Sequence, residues 1–124
     1  MTKALSGHIV FREKFRYKDL VPIFDELLRT FLAETDQLPD EPDILEMFLK
    51  INQMDLRENR KPEGYNRRGR MRMVFPIREK QQEFYVRANQ KSAEVPRVVE
   101  RLSRILKKAG IPHTVEWDRL QSAQ

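Results

Sequence analysis

NRRGRMRMVFPIREKQQEFYVRANQK, residues 66–91, sets arginines against apolar side chains with a period of two, turns on a polar segment, and alternates again. Successive side chains of a strand point to opposite faces of a sheet, so the pattern predicts a hairpin with one apolar and one basic face. Its strands are expected at 70–77 and 83–88, joined by a turn near 79–82. Met71, Met73, Phe75 and Ile77 then share a buried face with Phe84 and Val86. Arg70, Arg72, Val74, Pro76 and Arg78 share the other face with Tyr85, Arg87 and Asn89. The hairpin buries its methionines and presents its arginines.

The chain before the hairpin reads as strand, helix, helix and loop. A strand is expected over 8–16, with Ile9, Phe11 and Phe15 inward and His8, Val10, Arg12, Lys14 and Arg16 outward. Asp19 offers an N-cap, Pro22 is tolerated in a first turn, and Leu20, Phe24, Leu27, Leu28 and Phe31 recur at helical spacing, predicting a helix over 20–34. TDQLPDEP breaks the chain. Pro42 suits the first position of a second helix with acidic residues at its positive end. Ile44, Leu45, Phe48, Leu49 and Met54 form its apolar stripe, while Met47 and Ile51 lie off it, so burial on two sides is expected. RENRKPEGYNRRG has no apolar period and reads as a long, mobile loop.

After the hairpin, a third helix starts at 92–94 with the stripe Val95, Val98, Val99, Leu102, Ile105, Leu106 and Ala109. Gly110 fits the position just past its end and Pro112 prevents continuation. A last strand over 113–118 places His113, Val115 and Trp117 on one side, with Val115 and Trp117 on the buried face. The order β-α-(α)-β-β-α-β predicts an α+β two-layer ferredoxin-like sandwich: a four-stranded antiparallel sheet with helices on one face. Residues 1–124 read as a single domain, with an acidic helix and basic loop inserted at about 36–69.

Charge is segregated along the chain. Residues 19–55 hold two basic and ten acidic side chains, whereas 56–91 hold eleven basic and four acidic ones, within a net charge of +5. Such a distribution steers polyanions. With no cysteine, disulfides and thiolate zinc sites are excluded, and no run suggests a secretory signal or a membrane span, so a cytoplasmic location and no membrane partner are expected.

Signals for chemistry are sparse. No phosphate-binding glycine loop, dinucleotide fingerprint, nucleophile elbow or zinc-protease string occurs. His8 and His113 are expected at opposite ends of adjacent strands, too far apart to share a metal or an acid–base role. Asp36, Asp40, Glu41, Asp43 and Glu46 match no calcium-loop spacing and suit a helix N-terminus instead. No catalytic residue, cofactor or metal is therefore expected, and the chain reads as a non-enzyme.

The basic face points to nucleic acid. Guanidinium groups bond phosphates in pairs and stack on bases, and Tyr85 among them suits an unpaired base. The expected binding set is Arg12, Lys14, Arg67, Arg68, Arg70, Arg72, Arg78, Tyr85 and Arg87, and the expected ligand is RNA or single-stranded DNA. Only one aromatic faces outward on the third strand and no RNP-like string is present, so the usual multi-ring RNA platform is missing. The alternative is a protein–protein interaction module or accessory subunit, dimerising through the sheet face or docking a protein partner through the acidic insertion helix.

Overall fold

Alternation places the hairpin well and the first strand badly. In the computed structural model, which describes residues 2–120, the order is β1 (Ala4–Phe11), a 3-10 turn (Tyr17–Leu20), α1 (Phe24–Glu34), α2 (Pro42–Arg57), β2 (Met71–Val74), β3 (Glu83–Ser92), α3 (Glu94–Lys108) and β4 (His113–Trp117). The strands form one antiparallel sheet in the order β2-β3-β1-β4, as the ferredoxin-like sandwich requires. α3 lies on the sheet, α1 packs beside α3, and α2 packs on α1 and the 3-10 turn.

The core sits between sheet and helices. Ile9, Phe11, Met73, Phe75, Phe84 and Val86 meet Val95, Val99, Leu102 and Leu106 from α3 and Phe24, Leu28 and Phe31 from α1, all buried. Phe75 and Phe84 stack with ring centroids 5.0 Å apart. Gly7 interrupts β1 without a side chain because a Cβ there would lie 2.6 Å from Val99 and 2.7 Å from Trp117. The close approach of α3 to the central strand depends on that glycine.

Several expectations are corrected. β1 starts and ends earlier than 8–16: the chain turns after Phe11, with the Phe15 amide bonded to the Arg12 carbonyl at 3.0 Å. FREKFR alternates in sequence yet leaves the sheet after Phe11 and turns toward the 3-10 segment, so Arg12, Lys14 and Arg16 are not on the sheet. The helix expected over 20–34 begins only at Phe24, because Leu20 closes the 3-10 turn and Val21–Ile23 link the two. Ile77 lies beyond β2 and is 83% exposed, and Trp117 at the sheet edge is 42% exposed rather than buried. On α2, Ile44, Met47, Ile51 and Met54 are all exposed, so neither Ile44 and Met54 nor the off-stripe pair is covered.

The loop after α2 is pinned, not loose. Buried Asn52 accepts a hydrogen bond from the Gly64 amide at 2.7 Å, and Tyr65 pairs with Met73 as an extra bridge to the sheet. Gly64 has φ of +70°, and a Cβ there would meet the Met73 carbonyl oxygen at 2.5 Å, so only glycine fits. Among the described residues, no helix is long and apolar enough to cross a membrane.

Candidate nucleic-acid interface

The outer face of the sheet, opposite the helices, has two halves of different character. Register defines both: Arg72 faces Arg87 across β2 and β3, Val74 faces Tyr85, and on β1 Ser6 faces Arg87 while His8 faces Tyr85. Ser6, His8 and Val10 are buried on this face, although Val10 was expected to be open and His8 to be a strand-end residue.

A closed polar network occupies the β1 half. The Ser6 hydroxyl lies 2.9 Å from His8 Nε2, and His8 Nδ1 lies 2.9 Å from Glu83 Oε1. An ionised carboxylate only accepts, so His8 donates from Nδ1 to Glu83, and its Nε2 shares a hydrogen bond with the Ser6 hydroxyl. The second Glu83 oxygen accepts from Arg78 Nε at 3.1 Å, and the Arg119 guanidinium lies 3.7 Å away. Burial pushes the Glu83 carboxyl upward, but the hydrogen bonds and charges of His8 and Arg78 outweigh it and hold it below the ordinary glutamate range.

Serine, histidine and carboxylate in this order resemble a relay that activates a hydroxyl. Here Ser6 is 0% exposed, so its oxygen is out of a substrate's reach, and the network serves as a polar crosslink from β1 to β3. Sequence reading missed it because Glu83 is 75 residues from His8 and the link exists only through strand register.

The β2–β3 half keeps its cations unpaired. Arg72 and Arg87 stand directly opposite on the outer face, and among the described residues neither forms an ion pair. Like charges directly opposed across strands are destabilising. Arg72 Nη1 reaches only Asn66 Oδ1, at 3.4 Å. Tyr85 sits at the seam, half-buried, with its ring centroid 5.0 Å from that of His8.

The expected binding set is thus divided. Arg72, Tyr85 and Arg87 come together as anticipated. Arg78 is committed to Glu83, and Arg70 is paired with Glu94 and donates to the Thr35 carbonyl at 3.3 Å. Arg67 lies over the Phe48 ring at 4.5 Å, on the insertion, and Arg68 is exposed in the same loop. Arg12 and Lys14 line a cleft of about 540 Å³ together with Lys18, Asp19, Phe15, Ile111 and Pro112.

His113 lies on the helix side of β4, with Nε2 2.6 Å from the Ser103 hydroxyl, and is paired in register with Phe11 rather than His8. The two histidines are therefore apart. Among the described residues, no group of three His, Asp or Glu side chains is arranged to hold a metal ion. No protein-family model, curated protein or solved structure matches the chain.

Proposed function

We propose that this protein binds single-stranded nucleic acid, RNA or single-stranded DNA, across the β2–β3 half of its outer sheet face. The observation that carries the reading is the Arg72–Arg87 pair: two arginines stand opposite each other in the strand register, and among the described residues neither forms an ion pair. A bound phosphate would relieve that repulsion and accept from both forks. Tyr85, one register step away on β3, supplies a ring on which a base can stack. Arg68 and the exposed loop beside β2 extend the positive surface, in a chain of net charge +5.

Fluorescence anisotropy on a short unstructured oligonucleotide tests the reading. Affinity should fall steeply as salt rises, and Arg72→Ala or Arg87→Ala should each shallow the salt slope by about 0.7, one phosphate's worth for a single strand. Wild-type protein that fails to bind at low salt would defeat the proposal.

A further inference from the structure

The turn after β1 gathers cations that the sheet does not hold. Arg12, Lys14 and Lys18 line one cleft of about 540 Å³ with Phe15 and with the segment that follows α3, Gly110, Ile111 and Pro112. The turn is held in place: the Phe15 amide bonds to the Arg12 carbonyl at 3.0 Å, and the Phe15 ring stacks on buried Phe11 with centroids 3.7 Å apart. A hollow of about 310 Å³ adjoins the cleft, sharing Arg12, Gly110, Ile111 and Pro112 with it and adding Lys107 and His113. Both His113 ring nitrogens are engaged, one by the Ser103 hydroxyl and the other by the Ile111 carbonyl.

The charges around this cleft do not cancel. Arg12, Lys14, Lys18 and Lys107 are exposed, and among the described residues none of them forms an ion pair. Asp19 is the one carboxylate in either lining, and Arg16 already engages it: one Asp19 oxygen accepts from the Arg16 amide at 2.9 Å, and the other lies 3.5 Å from the Arg16 guanidinium. Glu13, between Arg12 and Lys14 in the chain, is exposed and lines neither hollow. The end of α3 brings the negative pole of a helix here. Its last carbonyls are satisfied, however: those of Ile105, Leu106 and Lys107 accept from the amides of Ala109, Ile111 and Gly110.

We propose that this cleft binds a small organic polyphosphate, in chemical class a nucleoside di- or triphosphate. Its volume lies within the range of small-molecule sites, about 300–1,000 Å³. Lysine and arginine both bind phosphate, and a chain of two or three phosphates can engage Arg12, Lys14 and Lys18 together and extend toward Lys107. A single phosphate would use only part of that set. A purely inorganic polyphosphate would leave the apolar part of the lining, Phe15, Pro22, Ile111 and Pro112, without a partner. A nucleoside supplies one, because its planar base can lie against an aromatic ring and aliphatic side chains. Arg72, Tyr85 and Arg87 line neither hollow, so the proposal stands independently of nucleic-acid binding on the sheet.

Amide NMR on the full-length, nitrogen-15-labelled protein, titrated with ATP at low salt in the presence of a chelator, is the test. ATP should shift the amides of residues 12–18 and 110–113 in a saturable way. Adenosine and inorganic triphosphate should each bind more weakly than ATP, since each offers half of the recognised chemistry. Lys14→Ala with Lys18→Ala should weaken ATP binding at least about tenfold by removing two charge-assisted contacts, with the rest of the spectrum unchanged because both side chains are exposed. Lys14→Arg with Lys18→Arg keeps the charges and should still bind. Arg72→Ala with Arg87→Ala should leave these shifts as they are, which separates this site from the sheet face. Absence of saturable shifts up to about 5 mM ATP would overturn the proposal. So would shifts confined to the sheet face, inorganic triphosphate binding as tightly as ATP, or a double lysine-to-alanine variant that binds as wild type does.

Discussion

The two halves of the outer sheet face carry similar residue types and meet opposite fates. On the β1 side, Ser6, His8 and Glu83 are buried and each finds its partners inside the chain. On the β2 side, Arg72 and Arg87 face each other half-exposed, without an ion-pair partner among the described residues. Burial forces the first set to satisfy itself, because an unpaired polar group away from water costs several kilocalories. Water tolerates the second set unsatisfied at small cost, which leaves it available to a ligand. A polar cluster therefore reads as structural when its partners are internal, and as a binding surface when they are missing.

The comparison predicts its largest contrast in stability. Glu83→Ala removes the buried acceptor of His8 and the carboxylate that Arg78 donates to, and breaking a buried pair in this way should cost about 3–5 kcal/mol. Arg72→Ala on the open half should change stability by no more than about 0.5 kcal/mol, as surface substitutions do. Urea unfolding of the two variants checks both values. Similar losses would erase the distinction between the halves.

Acid sharpens the same contrast. Because Glu83 is held below the ordinary glutamate range in the folded state, its contribution is present above that range. The contribution is lost as pH falls through the lowered folded value. Glu83→Gln should therefore be less stable than wild type at neutral pH, with the gap closing as pH drops through and below the glutamate range. Unfolding curves taken from pH 7 down to pH 3 follow that gap. A gap that stays constant would show that the carboxylate charge is not what the network uses.

Legibility in the sequence divides along the same line. β2 and β3 were readable because one face is buried and the other wet, so Met71, Met73, Phe84 and Val86 alternate cleanly with Arg72, Tyr85 and Arg87. β1 was not, because both faces of ALSGHIVF are covered and the pattern is broken by Ser6, Gly7 and His8. The alternating FREKFR next to it drew the strand too late and carried Arg12 and Lys14 onto a sheet they do not join. α1 and α3 each bury a single stripe at helical spacing and were found, with Gly110 at φ +76° ending α3. On α2, apolar residues on most sides hid which side faces inward. The Arg72–Arg87 opposition follows from the hairpin register, which the turn and the alternation both constrain.

Binding should separate the seam residue from its neighbours. Tyr85→Ala should cost about 1–3 kcal/mol of oligonucleotide affinity through lost stacking, while leaving the salt slope nearly unchanged. Tyr85→Phe should be almost silent in binding, since the ring and not the hydroxyl does the stacking. Titrating both variants at several salt concentrations distinguishes this from a purely electrostatic role, in which Tyr85→Ala would bind as wild type does.

The smallest expected effect tests the open half most directly, because it has an unusual sign. If Arg72 and Arg87 repel each other in the free protein, Arg72→Gln should stabilise it by about 0.2–1 kcal/mol at low salt, and Arg87→Gln by a similar amount. Either change alone removes the repulsion, so the double variant should gain little beyond a single one, giving a coupling energy of that same size in a double-mutant cycle. Raising the salt concentration should shrink the gain by screening the two charges. A saturating oligonucleotide should reverse it, because the wild-type pair then shares a phosphate that the variants hold less well. Additive effects of the two substitutions, or gains that persist with ligand bound, would mean that the arginines do not act as a pair. The register opposition would then be geometry without function.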